Sequence, residues 1–212
     1  MLLRHSFYYL IARGGPGLIN FVALAVYSRL LAPDEFGRYA LVLAGVGLAN
    51  VMFFKWLNLV LSRFWAANED QPDQFLGGIM ALFLVISVVI VSVGCLVVLV
   101  WPDQAWRHLL IFGLFLLIAQ AWFELNLVLA QVQIKPAWYG KLLFSKAILA
   151  LGLGGILAWV GLGSRAPIAG LIVAYLATFL CFASFAWRGV APQWPESESL
   201  RTQLRYGLPL TA

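Results

Sequence analysis

The chain has 212 residues, 63% of them hydrophobic and 11% charged, with a formal net charge of +5. A water-soluble domain of this size would be left with too little polar surface, so the composition excludes one and indicates a membrane protein. The 14 Lys and Arg are scattered between apolar runs and form no basic stripe, which argues against a nucleic-acid partner despite the positive charge.

Crossing a hydrocarbon core of about 30 Å takes about 20 apolar residues at ~1.5 Å each. Six runs meet that length, over residues 7–31, 39–61, 75–100, 106–129, 142–162 and 167–187. They are separated by breaker or charged joints such as "APDEFGR", "NEDQPDQ", "QIKPAWYGK" and "GSRAP". Period-2 alternation is absent, which argues against a β-barrel. A secretory signal peptide would have a short apolar stretch followed by a small-residue cleavage site, whereas the run from Phe7 continues for a full span. The sequence therefore predicts an all-α, polytopic membrane protein with six transmembrane helices in a lobe over residues 1–187. With the N-terminus in the cytoplasm, ten Lys and Arg fall inside and four outside (Arg29, Arg38, Arg107 and Arg165), a positive-inside bias that fixes the orientation. Most Trp and Tyr near span ends read as interfacial anchors, whereas Trp56, Trp122 and Trp159 read as packing residues.

Span one contains "RGGPG" (13–17), where Pro16 with Gly14, Gly15 and Gly17 weakens the helix. The motif reads either as a gate beside Arg13 or as glycines for close packing. Ser6, Arg13, Asn20 and Tyr27 recur every seven residues, with a drift of about 20° per step, as one polar stripe. In the joint that follows, Pro33 suits a first helical position and Asp34 and Glu35 favour the positive end of the helix dipole, while Gly37 is expected to allow tight packing. Span two places Lys55, Asn58 and Ser62 on one face, and span four does the same with Gln120, Glu124 and Gln131. Span five carries Lys146 and the glycines 152, 154 and 155. In span six Ala166, Gly170, Ala174 and Thr178 form a ridge of small residues that reads as a helix contact.

Charge inside a membrane costs at least about 2.5 kcal/mol per residue, so ionisable side chains there turn toward a cavity or a partner. By helical rise, Arg13 lies about 9 Å in from the cytoplasmic end of its span, Lys55 about 12 Å, Lys146 about 7 Å and Glu124 about 10 Å. Three cations and one anion at similar depth describe a net positive cavity, lined also by Asn20 and Asn58, that suits an anionic headgroup. The alternatives are snorkelling for the three cations and helix–helix bonding for the two asparagines. Glu124 cannot snorkel so far, and either pairs with a cation or takes part in proton coupling.

The stretch "YSRLLAPDEFGRYALVLAG" (27–45), preceded by "RGGPGLINF" (13–21), resembles the N-terminal half of polysaccharide-lipid flippases. These are the O-antigen and exopolysaccharide translocases of the multidrug/oligosaccharidyl-lipid/polysaccharide exporter superfamily. Their pattern R-x-L-x-P-x-x-[FY]-G-x-Y matches at Arg29, Leu31, Pro33, Phe36, Gly37 and Tyr39. The resemblance implies twelve or more helices in two six-helix lobes that move undecaprenyl-diphosphate-linked oligosaccharide across the bacterial inner membrane for lipopolysaccharide or other surface polysaccharide assembly. It also implies contact with other assembly proteins.

No Walker motif, metal-spaced His and Cys cluster or paired nucleophile and base occurs, so the chain is expected to be no enzyme, with no cofactor and transport coupled to H⁺ or Na⁺ or driven by the substrate. A drug/cation antiporter would want an acidic cavity, and a non-transporting scaffold would keep its charges at lipid or interface positions. After a polar cytoplasmic joint over 188–203 the chain turns apolar again at 204–212, where Arg205, Gly207 and Pro209 echo Arg13, Gly15 and Pro16. That end is expected to begin a seventh span in a longer protein.

Overall fold

The computed structural model describes residues 2–194, with side chains from Gly14 onward apart from those of residues 183 and 185. The expected joint beyond residue 194 and the expected seventh span at 204–212 lie outside the described residues. Those residues form helices α1 (Leu2–Leu30), α2 (Pro33–Phe53), α3 (Lys55–Phe64), α4 (Pro72–Val100), α5 (Gln104–Val132), α6 (Pro136–Trp159) and α7 (Arg165–Thr178), and no strand. Of these, α2, α4, α5, α6 and α7 with its continuation to Phe182 are long and apolar enough to cross a membrane. The chain is an all-helical, multi-pass membrane protein, as expected for a bilayer in which helices satisfy their own backbone groups. The helix α1 occupies the place of the expected first span.

Local signals set most of the helix starts. Pro33, Pro72 and Pro136 each sit in a first turn, where the missing N–H is not needed. Glu35 reaches back to accept the Ala32 backbone N–H at 3.2 Å, and Arg38 pairs with Asp34 at 2.7 Å one turn along. Asp103 caps α5 by accepting from the Ala105 N–H at 2.8 Å. Gly37 has open space around it, so the expected tight packing there is not found.

Two spans end differently from their hydropathy. The expected second span, 39–61, stops at Phe53, and a new helix starts at Lys55. The Leu57 N–H bonds the Phe54 carbonyl at 3.0 Å in place of the Phe53 carbonyl, which accepts from the Trp56 indole Nε1 at 2.9 Å. A side chain inserted into the backbone ladder is a recognised cause of a helix break, and it is invisible to hydropathy because both sides are apolar. The expected sixth span, 167–187, tightens and widens instead of continuing: a π turn spans Phe179–Ala183 and a 3₁₀ turn Ser184–Trp187.

The helices α6 and α7 make the most extensive pairing, with α1 laid on α6, and α5 set against α7, α2, α3 and α4. The small ridge Ala166, Gly170, Ala174 and Thr178 is buried as expected. A Cβ at Gly170 would lie 2.5 Å from the Gly154 nitrogen, and one at Gly154 would run into the Tyr27 hydroxyl. Tyr27 uses that space to donate to the Ala150 carbonyl at 2.7 Å. The neighbouring Gly152 and Gly155 face open space. The helices α1 and α2 touch only sparsely, with Tyr27 and Tyr39 meeting edge-on at 5.9 Å near their joined ends. Trp56 is buried and Trp122 sits within a ring cluster. Trp159, expected to pack, is 81% exposed at the end of α6.

Gly170→Val should therefore lower the thermal stability of the detergent-solubilised protein by roughly 1–3 kcal/mol through overpacking. Gly152→Ala should be neutral or gain up to about 1 kcal/mol from helix propensity. Equal melting temperatures for the two variants would contradict the packing described.

Candidate functional site

A polar cluster forms where α2, α6 and α7 meet α5. Glu124 accepts hydrogen bonds from Asn50 Nδ2, on the last turn of α2, at 2.8 Å and from Gln120 Nε2, one turn earlier on α5, at 3.0 Å. Lys146 on α6 holds its ammonium 5.2 Å from the ring centroid of Tyr175 on α7, a cation–π distance. The Tyr175 ring in turn packs on Phe123 at 4.9 Å. The Glu124 charge acts through space on both Lys146 and Tyr175. One anion, one cation, two amides and a phenol thus share a site among apolar helices, where electrostatic interactions are strong because little water screens them.

The cluster has a roof and a floor. Along α2, Tyr39 lies about 16 Å from Asn50 and closes one end with Tyr27. At the other end Phe54, Phe83, Trp122 and Trp187 stack in sequence at 5.2, 4.9 and 4.7 Å. Two hydrogen bonds anchor this stack: Trp187 Nε1 donates to Asn126 Oδ1 and Asn126 Nδ2 to the Trp122 carbonyl, each at 2.8 Å.

The expected site residues separate into groups. Glu124 and Lys146 come together. Glu124 was expected to pair with a cation or to serve proton coupling, and its hydrogen bonds come from two neutral amides. Lys55 and Asn58 belong to α3 and do not share a face: Lys55 is exposed, whereas Asn58 is buried with its Oδ1 unpartnered. Spaced three apart on one helix, the two lie about 60° apart in rotation, and the edge of the buried face falls between them. Asn20 is exposed on α1 while Tyr27 is buried against α6, so the expected stripe divides. The side chain of Arg13 lies outside the described residues. The helix α1 continues through Pro16, with Gly14 and Gly17 in open space and Gly15 against the Phe144 ring. The interrupted helix is found at Phe54 and not at 14–17.

Asn50 and Tyr175 were missed. Each carried a signal, Asn50 as a lone amide in an apolar run, equivalent to Asn20 and Asn58, and Tyr175 as a tyrosine at mid-span and not at an interface. Glu124→Leu should destabilise the protein by about 1–3 kcal/mol by stranding the Asn50 and Gln120 donors. Glu124→Gln, which keeps an acceptor oxygen, should destabilise it less. Denaturant or thermal unfolding checks the order, and a milder effect of Leu than of Gln would contradict the cradle.

Comparison with known families gives a match to the family described as "Polysaccharide biosynthesis protein" over residues 2–212. Comparisons with curated proteins and with solved structures give no match. The family match spans nearly the whole chain and agrees with its apolar helices and with the motif at residues 29–39, so the chain belongs to the polysaccharide biosynthesis protein family.

Proposed function

We propose that the chain is the N-terminal six-helix lobe of a transporter of twelve or more helices, with α1 as its first span and the N-terminus in the cytoplasm. The transporter flips undecaprenyl-diphosphate-linked oligosaccharide across the bacterial inner membrane for surface polysaccharide assembly. It is not an enzyme, since flipping makes and breaks no covalent bond in the substrate, and it needs no cofactor. Its partners are the glycolipid, the surrounding phospholipid and other polysaccharide assembly proteins.

The observation that carries this reading is Lys146, held at mid-helix between the Tyr175 face and the Glu124 charge. It stands five residues, about 7 Å, beyond Lys141, with its ammonium turned onto the Tyr175 ring. A cation so placed offers a charge-assisted contact to a diphosphate in transit, worth about 1.5–3 kcal/mol. Membership of the polysaccharide biosynthesis family supports a glycan-bearing cargo.

Complementation of an export-deficient strain with the full-length protein tests it. Lys146→Ala should lower glycan export by roughly tenfold or more, the ratio that about 1.4 kcal/mol represents. Lys55→Ala, at an exposed position on α3, should leave most export in place. Normal export from Lys146→Ala at an unchanged amount in the membrane would overturn the assignment.

A further inference from the structure

The joint between α5 and α6 holds a strained residue that the rest of the chain does not pack. Helix α5 closes with the Ile134 N–H on the Gln131 carbonyl and the Lys135 N–H on the Ala130 carbonyl, each at 3.0 Å. That pair of bonds puts a left-handed residue just past the helix end. Ile134 takes the position at φ 54° and is the one non-glycine residue with a positive φ among the described residues. Glycine suits this conformation, whereas a β-branched side chain is strained in it. Packing gives nothing in return, since Ile134 is 85% exposed.

The joint lies where a bilayer surface can cover it. The 29 residues of α5 span about 43 Å, close to the ~40–45 Å of a bilayer with its headgroups. Residues 133–135 alone link α5 to α6, so the turn stays within the headgroup layer. Beside Ile134 stands a fixed cationic surface. Lys135 donates to Gln133 Oε1 at 2.8 Å and holds its ammonium 5.5 Å from the centroid of the Trp138 ring. Trp138 is itself pinned, its indole Nε1 donating to the Phe182 carbonyl in the π turn at 2.8 Å. Lys141, also exposed, follows about one turn later on α6. Helices α1, α5 and α7 pack on α6, and among their described residues the one Asp or Glu is Glu124, about 12 Å before the end of α5. The acids Glu69, Asp70 and Asp73 lie around the start of α4, which packs on α5 and α3.

We propose that the α5–α6 joint binds an anionic phospholipid of the leaflet it faces, with Lys135 and Lys141 on the headgroup phosphate and Ile134 set into the acyl-chain boundary. The Lys135 ammonium keeps donor hydrogens beyond the one given to Gln133, and phosphate takes charge-assisted bonds from such a group. Lysines beside a membrane surface draw anionic lipid toward them. In lipid Ile134 recovers the burial that the protein does not give it, which accounts for an isoleucine where glycine would be relaxed. The orientation proposed above makes this the cytoplasmic leaflet, and the site does not depend on the cargo that is moved.

Titration of the full-length protein in detergent with phosphatidylglycerol or phosphatidylcholine, read by native mass spectrometry, measures its preference for the anionic lipid. The double variant Lys135→Gln with Lys141→Gln should lower that preference by about tenfold, whereas Arg165→Gln, at the start of α7, should leave it unchanged. An unchanged preference in the double variant overturns the proposal. A nitroxide on Ile134→Cys, in a Cys95→Ser and Cys181→Ser background, gives a second arm in nanodiscs that contain phosphatidylglycerol. The label should respond to oxygen and be shielded from a water-soluble nickel chelate. A label open to the chelate places the turn in water, as a loop that docks a soluble protein would be, and overturns the proposal. This arm decides alone where the double variant fails to fold.

Discussion

Gly154 is the point at which three helices meet. Its missing side chain leaves room on one side for the Tyr27 phenol to reach the Ala150 carbonyl, and its backbone receives Gly170 of α7 on the other. In lipid there is no hydrophobic force pressing helices together, so association depends on close van der Waals approach and on hydrogen bonds between helices. Gly154 permits both at once. The positions of α1 and α7 relative to α6 follow from that residue, and the place of Lys146, two turns earlier on the same helix, follows with them.

The polar cluster is a consequence of that packing. Because α5 lies against α7 and α7 against α6, Phe123 beside Glu124 on the first packs on the Tyr175 ring of the second, whose face receives the Lys146 ammonium of the third. None of these groups would be tolerated alone among apolar neighbours, since an unpaired charge or amide there is heavily penalised. Together they answer much of that cost: amide donors on the carboxylate and a ring face under the ammonium. The aromatic stack from Phe54 to Trp187 and the Tyr27–Tyr39 pair fix the two ends between which this arrangement is held.

Sequence carried most of the fold and part of the site. Hydropathy located the apolar runs because the bilayer imposes a length, and prolines 33, 72 and 136 marked helix starts because a missing N–H fits only there. The spacing of Ala166, Gly170, Ala174 and Thr178 revealed the α7 contact face, since small residues four apart have few other uses. What remained hidden depended on side chains that act on the backbone. The Trp56 indole takes the Phe53 carbonyl and ends α2 within a run that hydropathy reads as one span, so Lys55 and Asn58 could not be assigned to their true helix. One partner of Glu124, Gln120, is a turn away on α5, but Asn50 is 74 residues away in the chain, and only the packing of α2 on α5 decides that Asn50, and not Asn58, is the amide that meets it.

The break at Phe54 also separates two kinds of sequence change. In an unbroken helix each inserted residue turns everything beyond it by about 100°, so the inward faces of both halves are tied to one register. With the ladder already interrupted and the Trp56 indole standing in for a backbone donor, a rotation of α3 need not reach Asn50. The surface bearing Lys55 and Arg63 can thus be rebuilt, lengthened or recharged by evolution while the buried amide one turn before the break stays fixed on Glu124. The membrane-facing and interior parts of this helix pair are free to diverge at different rates.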